Sequence, residues 1–328
     1  MSSEREIKQE GFTFADAAFA RLGPVDSLMP PRLPVRFYFQ VMLCAALWGS
    51  AFPVIKLSYA GLAIEGVGEQ LLFAGSRFML AGLFVVPFCR RNLLDTIRRV
   101  PKASFALVVL GQIYLQYVCF YFGLSVSSGV LGALLIGAGS MWWVLLAPLF
   151  LKTTFPSVKQ WLVLSLCSVG IGISVYAPGA GSGNVSLGTA AFLLAALSGA
   201  VGALGVKRMA GGFGSRSVTA LALLLGGVLL LATGSYSWRG FWGDYSWVTF
   251  GVTVYLAFVS ATAFTLWNNL IERYSVNVLS AYRFLIPLCG VVESVVFVET
   301  ESVGVGILLG GTIVIGSLMA MNKMERAG

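Results

Sequence analysis

Apolar residues fill ten long stretches of this chain, and short segments with polar and charged residues separate them. Each stretch is close to the length of about 20 residues that an α-helix needs to cross a lipid bilayer. The pattern therefore predicts an all-α integral membrane protein with ten transmembrane helices. The predicted spans are 37–58, 68–88, 104–123, 126–150, 157–177, 187–208, 217–234, 247–270, 276–298 and 303–321.

Residues 1–35 differ from the rest of the chain because they are polar, mixed in charge and end in PPRLPV. The part before Leu33 has no apolar core of the length that a signal peptide needs. We expect a cytoplasmic tail, in which residues 12–22 are either disordered or a short amphipathic helix on the membrane surface.

Composition supports a membrane protein. Of the 328 residues, 57% are hydrophobic and 11% are charged, whereas soluble chains contain about 25% charged residues. The chain has no histidine, the usual metal ligand and general base, and its five cysteines form no CxxC pair. The sequence therefore predicts no catalytic residue, no metal and no cofactor. The net charge of +8 is spread between apolar stretches and forms no patch for nucleic acid.

The distribution of lysine and arginine predicts the orientation, because these residues accumulate in cytoplasmic loops. Both ends of the chain and alternate connecting segments hold eighteen basic residues. The segments on the opposite side hold two, Lys56 and Arg239. We therefore expect both termini in the cytoplasm, which requires an even number of spans.

The chain shows signs of an internal duplication. The sequence AALWGS at 45–50 is echoed by AALSGA at 195–200, and the stretch 124–153 corresponds to 275–302 at an interval of 147 residues, with Ser140 opposite Pro287 and Lys152 opposite Glu299. Two copies of five spans must insert in opposite directions, a common plan among transporters, with the binding site near the midplane. The predicted organisation is a tail at 1–35 and two inverted five-helix repeats at 36–178 and 186–322.

Three segments together resemble a known family. They are LWGSAFP at 47–53, RFMLA at 77–81, and the segment from Pro287 to Glu299 with the glycine-rich last helix that follows it. In this order they are similar to the EamA-type members of the drug/metabolite transporter superfamily, over nearly the whole chain after the tail. The resemblance implies an exporter of small metabolites, amino acids or drugs, in a bacterial inner membrane. The fourth span departs from the family, because Ser140 and Lys152 replace a proline and a glutamate.

The ninth span carries residues that are costly in hydrocarbon. A charged side chain such as Arg283 usually faces a protein-lined cavity or a charged partner. Proline removes a backbone hydrogen bond, so we expect a helix break at Pro287 and, at the matching depth, at Ser140. Arg283 and the adjacent Tyr282 are candidates for substrate contact, and a structural role for the arginine is equally open.

Glu293 is the one carboxylate within a predicted span rather than at its edge. A desolvated carboxyl group exchanges its proton closer to neutral pH, as proton coupling requires. The alternatives are an ion pair with Arg283 or Arg77, or exposure near the outer mouth of a cavity.

Further candidates lie in other spans. Arg77, deep in the second span, is either a counter-charge for an anionic substrate group or a structural arginine bonded to backbone carbonyls. Polar and aromatic residues near the midplane can contact substrate or join helices. They are Trp48, Gln112, Gln116, Tyr117, Trp142 and Asn268.

These features predict a secondary transporter that exports a small organic molecule by alternating access. The alternative is an intramembrane enzyme acting on a lipid-linked substrate, but the short loops offer no acidic metal site and no nucleotide-binding loop. A channel should show a repeated polar pore face, which the sequence lacks. The expected partners are a small-molecule substrate, coupled protons and the lipid bilayer, and the expected assembly is a monomer or a weak homodimer.

Overall fold

A computed structural model describes residues 33–62, 64–151, 155, 157–176, 184–274, 278–279, 282–283, 285–299 and 304–327. The chain divides into two units, Met1–Tyr38 and Phe39–Gly328. The first unit is described from residue 33 onwards, and its residues 35–38 are helical. Most of the predicted tail, 1–35, therefore lies outside the described residues, as does Lys152.

All regular structure in the described residues is helical. α4 contains a π-helical stretch, Leu107–Leu115, and short 3₁₀ turns follow α2 and α9. The helices are α1 (Val35–Gly61), α2 (Val67–Val85), α3 (Leu93–Arg99), α4 (Lys102–Val126), α5 (Gly129–Ile136), α6 (Gly139–Leu151), α7 (Val158–Tyr176), α8 (Val185–Arg208), α9 (Ser215–Gly234), α10 (Trp238–Gly243), α11 (Trp247–Arg273), α12 (Leu285–Phe297) and α13 (Val305–Ala327).

The helices confirm a multi-pass, all-α membrane protein. Within the described residues, seven helical segments are long and apolar enough to cross a bilayer, and three shorter apolar helices accompany them. The shorter ones are Val158–Ser174, Leu285–Phe297 and Val305–Ser317. These ten segments lie at the positions of the predicted spans, but that all ten cross the membrane stays a prediction.

Local signals in the sequence set several helix ends. At the start of α5, the hydroxyl of Ser128 accepts a hydrogen bond from the amide of Leu131 at 3.1 Å, which satisfies a first-turn amide that has no helical partner. Between α8 and α9, Gly211 and Gly214 adopt positive φ angles of 78° and 77°. Glycine adopts this conformation without strain, so the short turn can reverse the chain.

Glycines allow two pairs of helices to approach closely, α2 with α9 and α7 with α13. An added Cβ on Gly75 would lie 2.9 Å from the carbonyl oxygen of Gly227, and one on Gly227 would lie 3.1 Å from the carbonyl oxygen of Gly75. Gly170 and Gly310 face each other's carbonyl oxygens in the same way. Small residues permit such contacts between apolar helices. Each contact is reciprocal between the two helices.

Lys56 holds the end of a neighbouring helix. Its Nζ, on α1, donates to the carbonyl oxygens of Leu124 at 2.9 Å and Ser127 at 2.8 Å, where α4 ends. The last carbonyls of a helix have no helical partner and carry partial negative charge, so a cation stabilises them. We call this arrangement a lysine clamp.

A second lysine clamp holds α11. Nζ of Lys207, on α8, donates to the carbonyl oxygens of Ile271 at 3.1 Å and Tyr274 at 2.8 Å. Ile271 and Tyr274 follow Leu124 and Ser127 at the interval of 147 residues already seen between Ser140 and Pro287. The same bonding pattern therefore occurs at corresponding places in the two halves.

Candidate functional site

The fourth apolar segment is interrupted in its middle. α5 ends at Ile136 and α6 begins at Gly139; between them, the amides of Gly137 and Ala138 donate to carbonyls three residues earlier, at 3.1 and 3.0 Å. These hydrogen bonds join residues three apart, as in a 3₁₀-helix, and replace the α-helical bonds between residues four apart. Ser140, the predicted break, is the second residue of the new helical segment, so the interruption lies two to three residues before it.

The ninth segment is interrupted near Arg283. Its amide donates to the carbonyl of Leu279 at 3.1 Å, and its own carbonyl accepts from the amide of Ile286, also at 3.1 Å. α12 then begins at Leu285, with Pro287 in its first turn, where amides have no partner within the helix. The interruption therefore precedes Pro287, the predicted position of the break, by about one turn.

The two interruptions lie against each other. An added Cβ on Gly137 would be 2.9 Å from Cγ of Pro287, and one on Gly139 would be 2.6 Å from Nη2 of Arg283. α5 and α12 also pack along each other. We call this region the crossing, defined by Gly137, Gly139 and Ser140 of the fourth segment and Arg283 and Pro287 of the ninth.

Arg283 is buried at the crossing, with 8% of its surface exposed. Its guanidinium lies against the backbone of Gly139 and over the indole of Trp143, with Cζ 5.2 Å from the ring centroid. Gly139 and Trp143 are one helical turn apart and share a face of α6. Nε1 of Trp143 donates to the carbonyl of Ala200 on α8 at 3.2 Å, which fixes the ring. These two neighbours of the guanidinium, both within the described residues, carry no negative charge.

Several buried polar atoms have no hydrogen-bond partner within the described part of the chain. Oγ of Ser140 is one, and this residue is 3% exposed. Nε1 of Trp142 and Nε1 of Trp48 are two others. The Trp48 ring packs edge to face on Phe264 and Trp267, with centroids 5.4 and 5.6 Å away. An unpaired buried polar group costs about 1–3 kcal/mol, so these atoms are candidates for ligand contact.

Arg77 lies among aromatic rings. Its Cζ is 4.4 Å from the ring centroid of Phe78, 5.1 Å from that of Tyr117 and 5.3 Å from that of Tyr121, and the residue is 1% exposed. Cation–π contacts of this kind stabilise a desolvated guanidinium. Nε of Arg77 has no hydrogen-bond partner within the described residues, but three rings enclose the guanidinium. These rings favour a structural role for Arg77 and place Tyr117 in the same cluster.

Gln112 and Asn268 bond to each other. Nε2 of Gln112 donates to Oδ1 of Asn268 at 3.1 Å, and Nδ2 of Asn268 donates to Oε1 of Gln112 at 3.3 Å and to Oγ1 of Thr219 at 2.9 Å. All three residues are buried. The amides thus join α4, α9 and α11. Gln116 lies against α8, where its amide group would meet an added Cβ on Gly199.

Glu293 is half-buried on α12 and faces α1. An added Cβ on Gly49 would lie 2.9 Å from Oε1 of Glu293 and 2.9 Å from Cβ of Cys289. Ten residues of helix rise about 15 Å, so Glu293 is well separated from Arg283 along the ninth segment. Tyr282, next to Arg283, is half-buried.

Sequence reasoning missed Gly139 and Trp143, the two neighbours of the Arg283 guanidinium, and named Trp142 instead. The available signal was their spacing of four, which puts a small residue and a large ring on one helix face. That spacing does not reveal which helix meets the face. The contact with Arg283 therefore required the structure.

Comparison with known proteins identifies the family of the second half. Residues 186–323 match the EamA-like transporter family. The second half is therefore similar to EamA-like transporters. The matched residues contain the ninth-segment side of the crossing, with Arg283 and Pro287. The match supports the family resemblance predicted from the sequence, over residues 186–323, and with it a membrane transporter.

Two further likenesses extend over both halves. The chain is 26% identical over 295 residues to the uncharacterized transporter YvbV of Bacillus subtilis (strain 168), a match that covers 86% of this chain and 90% of that protein. A solved crystal structure superposes with a TM-score of 0.57, covering 86% of this chain and 98% of that chain at 16% identity. At so low an identity the likeness shows the fold alone.

Proposed function

We propose that this EamA-type protein is a secondary transporter that exports a small organic molecule across the cytoplasmic membrane by alternating access. The observation that carries the proposal is the crossing, where two apolar segments are interrupted at corresponding places around a buried arginine. Interrupted helices at the interface of two repeats commonly hold the substrate of secondary transporters. The substrate site lies at the crossing in this proposal.

The proposal includes ten spans in two inverted five-helix repeats, 36–178 and 186–322. A two-fold relation between the halves brings corresponding helices together in reciprocal contacts. The contacts between Gly75 and Gly227 and between Gly170 and Gly310 have this form. The two lysine clamps support the same relation, because their carbonyl partners are separated by the interval that relates the fourth and ninth segments.

The orientation follows from the basic residues. Both termini are cytoplasmic in the proposal, because eighteen lysines and arginines fall on that side. The end of α3 and the start of α4 carry a cluster of them, the exposed residues Arg98, Arg99 and Lys102. The protein then lies in the cell inner membrane and works as a monomer or a weak homodimer.

We assign the candidate residues to two groups by their surroundings. The first group contains the proposed substrate contacts. Arg283 and Ser140 lie at the crossing, Trp48 and Trp142 carry polar atoms that are unpaired within the described residues, and Tyr282 adjoins Arg283. The other group holds helices together through mutual bonds or ring contacts. Its members are Arg77, Gln112, Gln116, Tyr117 and Asn268.

Proton coupling is assigned to Glu293. The carboxyl group is half-buried and lies where α12 meets α1 at Gly49, so a relative movement of these helices would change its access to water. A group that takes up a proton on one side and releases it on the other can exchange proton entry for substrate export.

Transport by the purified full-length protein in proteoliposomes tests the proposal. A thermal-shift screen first finds compounds that raise the melting temperature, since a ligand of the folded state stabilises it. The compounds are then offered to proteoliposomes with an imposed pH gradient. The proposal predicts accumulation against the compound's own gradient. A chemically altered product without accumulation would contradict it.

A further inference from the structure

The structure assigns a binding site for a carboxylate group to the crossing, formed by the guanidinium of Arg283, the hydroxyl of Ser140 and the amino end of α6. The inference rests on the proposed function and specifies its substrate class: a small organic acid with one negative charge. Its evidence is the burial and the contacts of these groups.

The described neighbours of the Arg283 guanidinium supply no counter-charge. The guanidinium is buried against the Gly139 backbone and the Trp143 ring, and both of these described neighbours are neutral. A buried arginine is costly unless an anion or several aromatic rings stabilise it. Three rings surround the guanidinium of Arg77, whereas among the described residues Arg283 has one, that of Trp143. A planar guanidinium donates two parallel hydrogen bonds to a carboxylate, which matches its geometry.

The fourth segment supplies two more groups that favour a bound anion. A new helix, α6, begins at Gly139, directly beside the guanidinium. The amides of Ser140 and Trp142 donate to the carbonyls of Gly137 and Ala138, at 3.1 and 3.2 Å, so the amino end contributes the partial positive charge of the helix dipole. Oγ of Ser140, 3% exposed, has no partner within the described residues and lies in the first turn of α6. An anion placed here would accept a hydrogen bond from this hydroxyl.

The groups around Arg283 also favour a ligand with a single negative charge. One guanidinium balances one negative charge, and a second charge would have to be desolvated without a partner. Apolar groups complete the region: the Trp143 ring on one side, Pro287 at Gly137, and the Phe52 ring, which would meet an added Cβ on Gly290. A monoanionic carboxylate with a flat, apolar body fits these groups better than a phosphate.

Matched pairs of compounds test the assignment on the purified full-length protein. Benzoate, phenylacetate, indole-3-acetate and hexanoate are each compared with the corresponding primary amide, and inorganic phosphate is a further arm. At least one carboxylate should raise the melting temperature while its amide does not. Equal stabilisation by the amides, stabilisation by phosphate instead, or no effect of any carboxylate would overturn the site.

Three variants test whether the stabilising carboxylate binds at the crossing. Arg283→Gln should weaken binding of the stabilising carboxylate about tenfold or more, as expected for the loss of charge-assisted hydrogen bonds, and Ser140→Ala should weaken it less. Gly139→Ala places a methyl group 2.6 Å from Nη2 and should also weaken binding by displacing the guanidinium. Gly251→Ala is the matched control, because nothing lies within 4 Å of an added Cβ there. Unchanged affinity in Arg283→Gln or in Gly139→Ala would overturn the assignment, and gel filtration of each variant reports on folding.

Counterflow of the labelled carboxylate in proteoliposomes separates this inference from the transport proposal. Binding that depends on Arg283 without any movement across the membrane would keep the site and contradict transport. Movement of a neutral or cationic compound that is insensitive to Arg283→Gln would keep transport and overturn the site.

Discussion

Buried polar residues in this protein fall into two kinds according to their partners. Gln112 and Asn268 satisfy each other's amide groups and join three helices. Ser140 and Trp48 each leave a buried polar atom unpaired within the described residues. The first kind stabilises the fold whether or not a substrate is present, whereas the second kind is available to a ligand.

The amide pair should behave as a structural unit. Asn268→Leu alone leaves the buried amide of Gln112 without its described partner, and Gln112→Leu leaves Oδ1 of Asn268 without its own, although Nδ2 still bonds to Thr219. Each loss costs about 1–3 kcal/mol and lowers the melting temperature. Replacing both should cost less than the sum of the two, because no orphaned amide remains. Melting of the four proteins in one detergent measures this. Losses that add without coupling, together with reduced substrate binding, would instead place these residues in the site.

Glu293→Gln tests proton coupling at the residue where it is proposed. The amide keeps the size of the carboxyl group and cannot release a proton, so substrate exchange across proteoliposomes should persist while a pH gradient no longer drives accumulation. Glu299→Gln is the matched control, since Glu299 is exposed at the end of the same segment. A mutant at position 293 that still concentrates substrate in response to the pH gradient would contradict the assignment.

The cost of burial made Arg283, Arg77 and Glu293 recognisable from the sequence. Their roles were not recognisable, because two buried arginines look alike until their neighbours are known. Arg77 lies among the rings of Phe78, Tyr117 and Tyr121, whereas Arg283 lies at the start of a helix. Which residues surround a charge depends on helix packing, and spacing along one helix does not determine it.

At the scale of helices, the interruptions and the lysine clamps recur in both halves. The sequence placed a break near the right depth of the fourth and ninth segments, through Ser140 and Pro287. The interruptions lie up to about one turn before these two residues. For Pro287 the reason is that proline is tolerated in the first turn of a helix and tends to follow a break. The lysine clamps had no signal in the sequence, since Lys56 and Lys207 looked like ordinary basic residues at helix ends.

The two lysine clamps should contribute similarly to stability if the halves are equivalent. Lys56→Met and Lys207→Met each remove two hydrogen bonds from a charged donor, at about 1.5–3 kcal/mol per bond at most. Each should lower the melting temperature clearly and by a similar amount. Lys159→Met, at an exposed lysine, is the control and should change little. A loss in one clamp variant alone would contradict the equivalence of the halves.

For the whole molecule, hydrophobic pattern alone predicted the fold class and the approximate ends of the helices. Membrane helices can be predicted this well because the bilayer imposes a fixed length and a fully bonded backbone. The reciprocal contacts between Gly75 and Gly227 could not be predicted. Many other glycines in the chain also lie among apolar residues, and the sequence does not show which of them meet. The orientation depends on the basic residues and is open to direct measurement.

Cysteine labelling tests the orientation in a variant whose five native cysteines are replaced. Arg98→Cys and Asp244→Cys place single thiols at two exposed positions. In intact cells, an impermeant thiol reagent should label position 244, and position 98 should react only after the membrane is opened. The reverse pattern would place both termini outside.

The account as a whole claims that the crossing lies on the substrate path and opens to each side of the membrane in turn. A single thiol from Ser140→Cys, in the same cysteine-free background, tests this most directly, because position 140 is 3% exposed in the structure described here. Ala74→Cys, fully buried where α2 is enclosed, is the control. An impermeant thiol reagent should label position 140 from either face in right-side-out and inside-out vesicles, and not position 74. Labelling of position 140 from neither face would contradict alternating access through the crossing.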